Sequence, residues 1–253
     1  MKNLRYILAI FMVSVATDAL AWRAEVNEAI LLFAEDHLSN RAKKEVSAIL
    51  GTSLRSIKFE NRGKSITRLD ENGKSVTTDE KDAVVLLEKA IATLANETSS
   101  AAERKAALLT VAEMTVDIHC PSNILIDKHL EKDFTFGRDN GRPRNSRWFR
   151  VQKREWKAMW HSQYHREHLV FSPEMYRYDW RIATKGMAKK YKKMAIVPRE
   201  WAEQTGKRVL KSLETFQPDA IVNKLEIIKQ EEVNNACMYD AAFRLANLLN
   251  KTL

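Results

Sequence analysis

Glu113 and Asp117 are the first residues in this sequence whose type and spacing could support chemistry. They stand four positions apart in a mostly apolar stretch, so a helix would direct both carboxylates to one face, turned inward. Two inward carboxylates repel each other unless a cation or a base lies between them. The pair therefore indicates either a metal site on this helix or an acidic face that is solvated or paired with arginine or lysine.

His161 and His165 form a second pair with chemical potential. Their spacing is the one by which a helix offers two imidazoles to a single metal ion. His168 lies near the same face, so three of the six histidines fall within eight residues. The same spacing also arises by chance in helices without a metal, and that alternative stays open.

Trp22 is a third candidate because of what precedes it. Residues 1–21 have the pattern of a secretory signal peptide, with an apolar run over residues 6–16 and small residues at Ala19 and Ala21. Cleavage after Ala21 would make Trp22 the N-terminus, and a free terminal amine can bind a metal. The simpler alternative is that Trp22 is the first residue of an ordinary helix.

Helices are the elements expected to hold these residues. Glycine and proline are scarce, and apolar residues recur at helical spacing over most of the chain. Pro121 should end the helix that contains Asp117, because proline cannot continue the backbone hydrogen bonds. Pro198 should lie in the first turn of a later helix.

One short hairpin interrupts the helical pattern. Asn72-Gly73 lies between residues 66–69 and 75–77 and is typical of a β-hairpin turn. Residues 137–145 are predicted to form a loop. The fold class that follows is all-α, with a single multi-helix domain over residues 22–253 and one small β-hairpin.

Charge and cysteine content restrict the partners and the compartment. The chain carries 42 Lys and Arg against 33 Asp and Glu, a net charge of +9. Such a charge is typical of proteins that bind nucleic acid or an anionic membrane surface, although many exported bacterial proteins are basic without such a partner. After the signal, no apolar run reaches the roughly 18 residues that span a bilayer, so stable membrane insertion is not expected. Cys120 and Cys237 could form one disulfide or stay buried as thiols, and Cys120 could also be a soft metal ligand.

The candidate residues coincide in one known family. Residues 116–123 (VDIHCPSN) resemble the GDIHQPLH-like motif of the zinc-dependent, single-strand-specific nucleases called the S-one/P-one type. Residues 160–165 (WHSQYH) are similar to their later LHxxWD motif, and Trp22 matches the N-terminal tryptophan that signal cleavage exposes in that family. The wider superfamily includes bacterial zinc phospholipase C, and the similarity extends over nearly the whole mature chain.

The resemblance implies a zinc cluster with altered ligands. In the family, three zinc ions are held by the terminal tryptophan, several histidines and several aspartates. The matching positions here are Trp22, Asn27, Asn61, Glu113, Asp117, Asn123, His161 and His165. Glutamate and histidine remain competent zinc ligands, whereas an asparagine offers only a neutral carbonyl oxygen, which suits hard cations better. We therefore expect one or two zinc ions, held by Trp22, Glu113, Asp117, His161 and His165.

The function that the resemblance implies is phosphodiester hydrolysis by an endonuclease, with Asp117 as the central catalytic residue. The enzyme would be a monomer that is exported to the periplasm or secreted. Its substrate would be single-stranded DNA or RNA, bound through Arg138, Arg142, Arg144, Arg147 and Trp148. Two alternatives remain. One is a non-catalytic relative that binds nucleic acid or another phosphorylated ligand. The other is a lipid-directed hydrolase of the phospholipase C kind.

Overall fold

The computed structural model describes residues 22, 24–59, 66–76, 79–126, 135–139, 151–155, 172–215, 221–222 and 224–253. Helices dominate this part of the chain. They are α1 (Ala24–Asp36), α2 (Asn40–Leu50), α3 (Ala83–Ala95), α4 (Ala101–Asp117), α5 (Pro173–Ala183), α6 (Ala188–Lys193), α7 (Pro198–Thr215) and α8 (Lys224–Thr252). Two short 3₁₀ turns cover Leu54–Ser56 and Pro121–Asn123. The predicted all-α fold class is confirmed.

Helix α4, which carries Glu113 and Asp117, has well-defined ends. Ser100 accepts a hydrogen bond from the Glu103 amide through its hydroxyl, while the Glu103 carboxylate accepts from the Ser100 amide at 2.8 Å. This reciprocal arrangement satisfies two amides that the first helical turn leaves without partners. The helix ends at Asp117, and Pro121 starts the 3₁₀ turn that follows, as its position predicts.

The strands are short and form two small sheets. Strand β1 (Thr67–Leu69) pairs in parallel with β2 (Ile124–Ile126), with Thr67 opposite Ile124 and Leu69 opposite Ile126. The second sheet has the order β4-β3-β5, from Val151–Glu155, Thr135–Asp139 and Ile221–Val222. Strand β2 follows the 3₁₀ turn directly, so the first sheet fixes the chain that leaves α4.

The predicted small hairpin is confirmed, and one predicted loop needs correction. The turn at Asn72-Gly73 exists, with the Asp70 amide donating to the Lys74 carbonyl at 2.8 Å and Gly73 at φ +74°. Its arms are joined by an antiparallel bridge between Leu69 and Ser75, and β1 pairs with β2 along its other edge. Residues 137–139 of the predicted loop are part of strand β3.

The core lies between α1, α4, α5 and α8. Phe33 of α1 packs edge-on against Trp180 of α5 and Phe243 of α8, with ring centroids 5.7 and 5.3 Å apart. Most of α1 and the last part of α4 are buried, so the carboxylates of α4 face the interior as their apolar surroundings predict. None of the described helices is long and apolar enough to cross a membrane.

Gly206 lets α7 approach the first sheet. A β-carbon at this position would lie 2.1 Å from Cδ1 of the buried Leu69. The absence of a side chain therefore allows β1 to pack directly on the middle of α7. This close contact holds the β1–β2 pair, and with it the exit from α4, against the helical core.

Candidate metal centre

Asp117 and Asn123 meet at the end of α4. The 3₁₀ turn after Pro121 folds the chain back, and the side-chain amide of Asn123 donates to Oδ1 of Asp117 at 3.1 Å. Both side chains are buried. Two of the residues predicted to bind metal are therefore in direct contact.

Glu113 and Asp117 interact as the sequence predicts for carboxylates on one helical face. Both are buried on the inward side of α4. Burial raises the pKa of Asp117 well above its usual value, the charge of Glu113 raises it further, and the hydrogen bond from Asn123 lowers it. Without a cation, Asp117 is therefore driven toward its neutral form.

Trp22 lies beside this helix end. Its indole Nε1 donates to Oδ1 of Asn234 on α8 at 2.9 Å, and its carbonyl accepts from Nδ2 of Asn27 at 3.3 Å. Its backbone amide makes a hydrogen bond that lowers the pKa of the Cys120 thiol. The Trp22 nitrogen is thus next to a residue only three positions from Asp117. Because residues 1–21 lie outside the described residues, its role as a free amine stays a prediction.

Three buried oxygens of this region have no donor in the described part of the chain. They are Oδ1 of Asn27, Oδ2 of Asp117 and Oδ1 of Asn123. Their side chains are 5 %, 3 % and 2 % exposed, respectively. Buried polar atoms normally have a partner, so each of these oxygens calls for a donor or a cation.

Cys120 and Cys237 are both buried free thiols, so the disulfide that the sequence allowed between them is not formed. Burial raises the pKa of Cys120 to about 12 and that of Cys237 to about 11. Since the thiolate is the form that binds metal, Cys120 is poorly suited to be a soft ligand. Its sulfur lies 3.1 Å from the Ser122 hydroxyl.

His119 has both ring nitrogens engaged. Nδ1 lies 2.6 Å from the Thr115 carbonyl oxygen and must donate to it, and Nε2 therefore accepts from Nη1 of Arg244 at 2.8 Å. Burial, together with the charge of Arg244, lowers the pKa of His119 to about 3. His119 is a neutral structural residue that links α4 to α8.

A buried polar network continues from Arg244 and was not predicted from the sequence. Arg244 also donates to Gln204, and its guanidinium lies 5.6 Å from the Trp201 ring. One turn earlier on α8, Asp240 accepts from Arg208 at 2.6 Å and from the Tyr191 hydroxyl. The sequence feature that could have predicted this network is the pair Asp240 and Arg244, which stand four positions apart inside the apolar run of α8.

Several predicted site residues lie outside the described residues: Asn61, Arg142, Arg144, Arg147, Trp148, His161 and His165. Arg138 is in strand β3, where the backbone alone is described. Among the described site residues, the structure brings Asn27 into contact with Trp22 and Asn123 into contact with Asp117, and it places Glu113 close enough to act on Asp117. Within the residues that are described, no group of three or more His, Cys, Asp or Glu could hold a metal ion.

The described donors fit some metals better than others. Glu113 and Asp117 offer carboxylates, and Asn27 and Asn123 offer amide oxygens, so apart from the predicted Trp22 amine every donor in the set is an oxygen. Oxygen ligands suit Mg²⁺, Ca²⁺ and Mn²⁺, whereas zinc sites use histidine and cysteine. A zinc ion would fit only with nitrogen ligands from elsewhere, such as His161 and His165.

Comparison with known proteins adds no relative: no protein-family model matches this chain, and the search of curated proteins gives no significant match.

Proposed function

We propose that this protein is an exported, divalent-metal-dependent hydrolase that cleaves phosphodiester bonds in single-stranded nucleic acid. The observation that supports it best is the buried end of α4, which carries Glu113 and Asp117 and lies beside Trp22. At this point three buried side-chain oxygens lack donors among the described residues. A purely structural core rarely leaves so many acceptors unpaired in one region.

In this proposal Asp117 is the central metal ligand and Glu113 balances the charge of the ion. A bound cation supplies two effects, since it lowers the pKa of a coordinated water toward neutrality and polarises a phosphoryl oxygen. The Asn123 amide orients Asp117 by its hydrogen bond to Oδ1, which leaves Oδ2 to face a ligand. His161 and His165 remain the predicted ligands of a zinc ion.

Charge and aromatic residues support the choice of substrate. A net charge of +9 attracts a polyanion from a distance. Arg138, Arg142, Arg144, Arg147 and Trp148 follow the α4 motif in the sequence, and arginines with an interleaved tryptophan suit phosphates and unpaired bases. Residues 1–21 would direct the chain to the periplasm or the medium, where removal of the signal frees the Trp22 amine.

The test is hydrolysis of labelled single-stranded DNA and RNA by the chain that starts at Trp22, with Mg²⁺, Ca²⁺, Mn²⁺ or Zn²⁺ added after chelation. We expect cleavage that depends on added metal and is at least about 100-fold lower in Asp117→Asn. Asp179→Asn, on the exposed side of α5, is the matched control and should keep full activity. Absence of cleavage with every metal and both substrates would contradict the proposal.

A second candidate function is binding without catalysis. It is favoured by the hydrogen bonds that the two asparagines make, from Asn123 to Asp117 and from Asn27 to the Trp22 carbonyl, because these bonds hold the site together without a metal. Such a protein would bind single-stranded nucleic acid with a steep dependence on salt concentration. The same assay would then give binding but no product with any metal.

A further inference from the structure

We infer that the end of α4 forms a subsite for one hard divalent cation of the Ca²⁺ or Mg²⁺ class, built from Asn27, Asp117 and Asn123. This inference deepens the proposed function and rests on its assignment of a metal ion to Asp117. The Ca²⁺ or Mg²⁺ subsite is chemically distinct from the zinc site predicted at His161 and His165.

Three oxygens at this helix end need a partner. Oδ1 of Asn27, Oδ2 of Asp117 and Oδ1 of Asn123 are buried and find no donor among the described residues. A buried acceptor left unpaired costs about 1–3 kcal/mol. Because a water molecule can donate only two hydrogen bonds, a single water cannot satisfy all three. One cation can coordinate all three if they converge on it.

Hydrogen bonds join the residues that carry these oxygens. Asn123 bonds Asp117 at 3.1 Å, and Asn27 bonds the Trp22 carbonyl at 3.3 Å. The Trp22 backbone amide donates to the Cys120 sulfur, and the Cys120 backbone amide donates to the Asp117 carbonyl oxygen at 3.1 Å. The two asparagines therefore belong to one continuous network around Trp22 and the end of α4.

The orientation of both asparagine amides is fixed by their acceptors. Each asparagine uses its NH₂ group in a hydrogen bond to the protein, to Asp117 in one case and to the Trp22 carbonyl in the other. Those acceptors determine which end of each amide is nitrogen, so the carbonyl oxygen is the free end. A neutral amide oxygen beside a carboxylate is a typical ligand pair for Ca²⁺.

Soft donors that are free to bind are absent from the described residues around Asp117. Both nitrogens of His119 are engaged, and the Cys120 thiol is held in its neutral form by burial. Zinc prefers nitrogen and sulfur ligands, which these residues do not offer. With a divalent ion bound, Glu113 and Asp117 would both be ionised, and their two negative charges would balance the charge of the ion.

The experiment is calorimetric titration of the chelator-treated chain that starts at Trp22, with Ca²⁺ and with Zn²⁺. We expect one Ca²⁺ per chain, together with a rise in melting temperature, and we expect Asp117→Asn to lose both. In Asn27→His/Asn123→His, Ca²⁺ affinity should fall and Zn²⁺ affinity should rise, each by about tenfold or more, because imidazole replaces amide oxygen.

The controls separate the possible failures. Asn72→His places an imidazole on an exposed turn and should leave both affinities unchanged. The inference is overturned if Ca²⁺ does not bind or if its binding survives Asp117→Asn. If the double histidine variant fails to fold, the result for Asp117→Asn alone decides between the two outcomes. Zinc-dependent hydrolysis without Ca²⁺ binding would support the proposed function and overturn the cation subsite. Ca²⁺ binding without hydrolysis would support the cation subsite and contradict the proposed function.

Discussion

The side-chain amide of Asn123 donates a 3.1 Å hydrogen bond to Oδ1 of Asp117, while Oδ2 of the same carboxylate has no donor in the described part of the chain. This asymmetry means that one oxygen of Asp117 is held by the protein and the other is available to a ligand. It also ties the 3₁₀ turn after Pro121 to the last residue of α4. Substitutions at this site and in the packing around it should therefore have distinct, measurable effects.

Asp117→Asn should stabilise the metal-free protein at pH 7. Burial and the charge of Glu113 raise the folded-state pKa of Asp117, so the native state holds its proton to higher pH than the unfolded chain does. Stability from this group is therefore present at low pH and is lost as pH rises through the raised pKa. A neutral amide removes that loss, and we expect a gain of about 1–3 kcal/mol in the free energy of unfolding.

Urea unfolding in excess chelator measures this effect. The exposed control Asp179→Asn should change stability by less than about 0.5 kcal/mol. If the metal-free Asp117→Asn protein is clearly less stable than the wild type, the protein itself must stabilise the Asp117 carboxylate. That result would contradict our interpretation that Oδ2 of Asp117 lacks a protein donor and is available to a ligand.

His119 should make the protein sensitive to mild acid. Its pKa is lowered to about 3 in the fold, by burial and by Arg244, against 6.5 in its unperturbed state. Between these values the unfolded chain holds a proton that the native state lacks, so stability falls as pH drops from 6.5 toward 3. The contribution is about 1.4 kcal/mol per pH unit.

The measurement is the difference in unfolding free energy between the wild type and His119→Gln from about pH 7 to about pH 4, in chelator. Glutamine can still accept from Arg244 but does not titrate. We expect the variant to lose less stability on acidification, so the two profiles converge toward low pH. Parallel profiles would mean that His119 is not buried in its neutral form.

The ion pair between Arg208 and Asp240 should contribute more to stability than an exposed pair. Asp240 is buried and accepts from both Arg208 and Tyr191. Removing its charge by Asp240→Asn leaves the half-buried guanidinium without its counterion, and we expect a loss of about 3 kcal/mol. Glu80→Gln breaks the exposed pair with Lys89 and should cost less than about 0.5 kcal/mol. Equal losses in urea unfolding would contradict this ranking.

Gly206→Ala should destabilise the protein although alanine favours a helix. The new β-carbon would lie 2.1 Å from Cδ1 of Leu69, so the β1 side chain must shift. Overpacking of this kind costs about 1–3 kcal/mol and exceeds the gain of about 1 kcal/mol in helix propensity. In a Leu69→Ala background the clash disappears, and the same substitution should become neutral or stabilising. Identical effects in both backgrounds would exclude a direct contact.

The helix that carries the candidate site could be predicted because its determinants are local. The apolar run around Glu113 and Asp117 places both carboxylates inward, and Pro121 marks where the helix must stop. The bond from Asn123 to Asp117 could not be predicted, since it depends on the direction of the 3₁₀ turn. The contact of Trp22 with Asn234 joins residues 212 positions apart, which no spacing pattern encodes.

The β-structure could be predicted only in part. Asn72-Gly73 correctly indicates a turn, yet turn chemistry alone does not choose the partner of the preceding strand. Thr67 and Leu69 are both fully buried, and β1 finds its partner in Ile124–Ile126, far away in the sequence. The hairpin turn therefore indicates one neighbour of β1, whereas the parallel partner on its other edge depends on contacts between residues far apart in the sequence.

The most direct test of the cation site is a crystal structure of the chain that starts at Trp22, soaked with Mn²⁺ and measured at a wavelength where manganese scatters anomalously. Mn²⁺ stands in for Mg²⁺, whose distance to oxygen is about 2.1 Å. We predict an anomalous peak at about that distance from Oδ2 of Asp117, with an Asn27 or Asn123 oxygen in the same coordination shell. A structure in which manganese binds elsewhere, and Oδ2 of Asp117 is paired with a protein donor, would contradict the assignment.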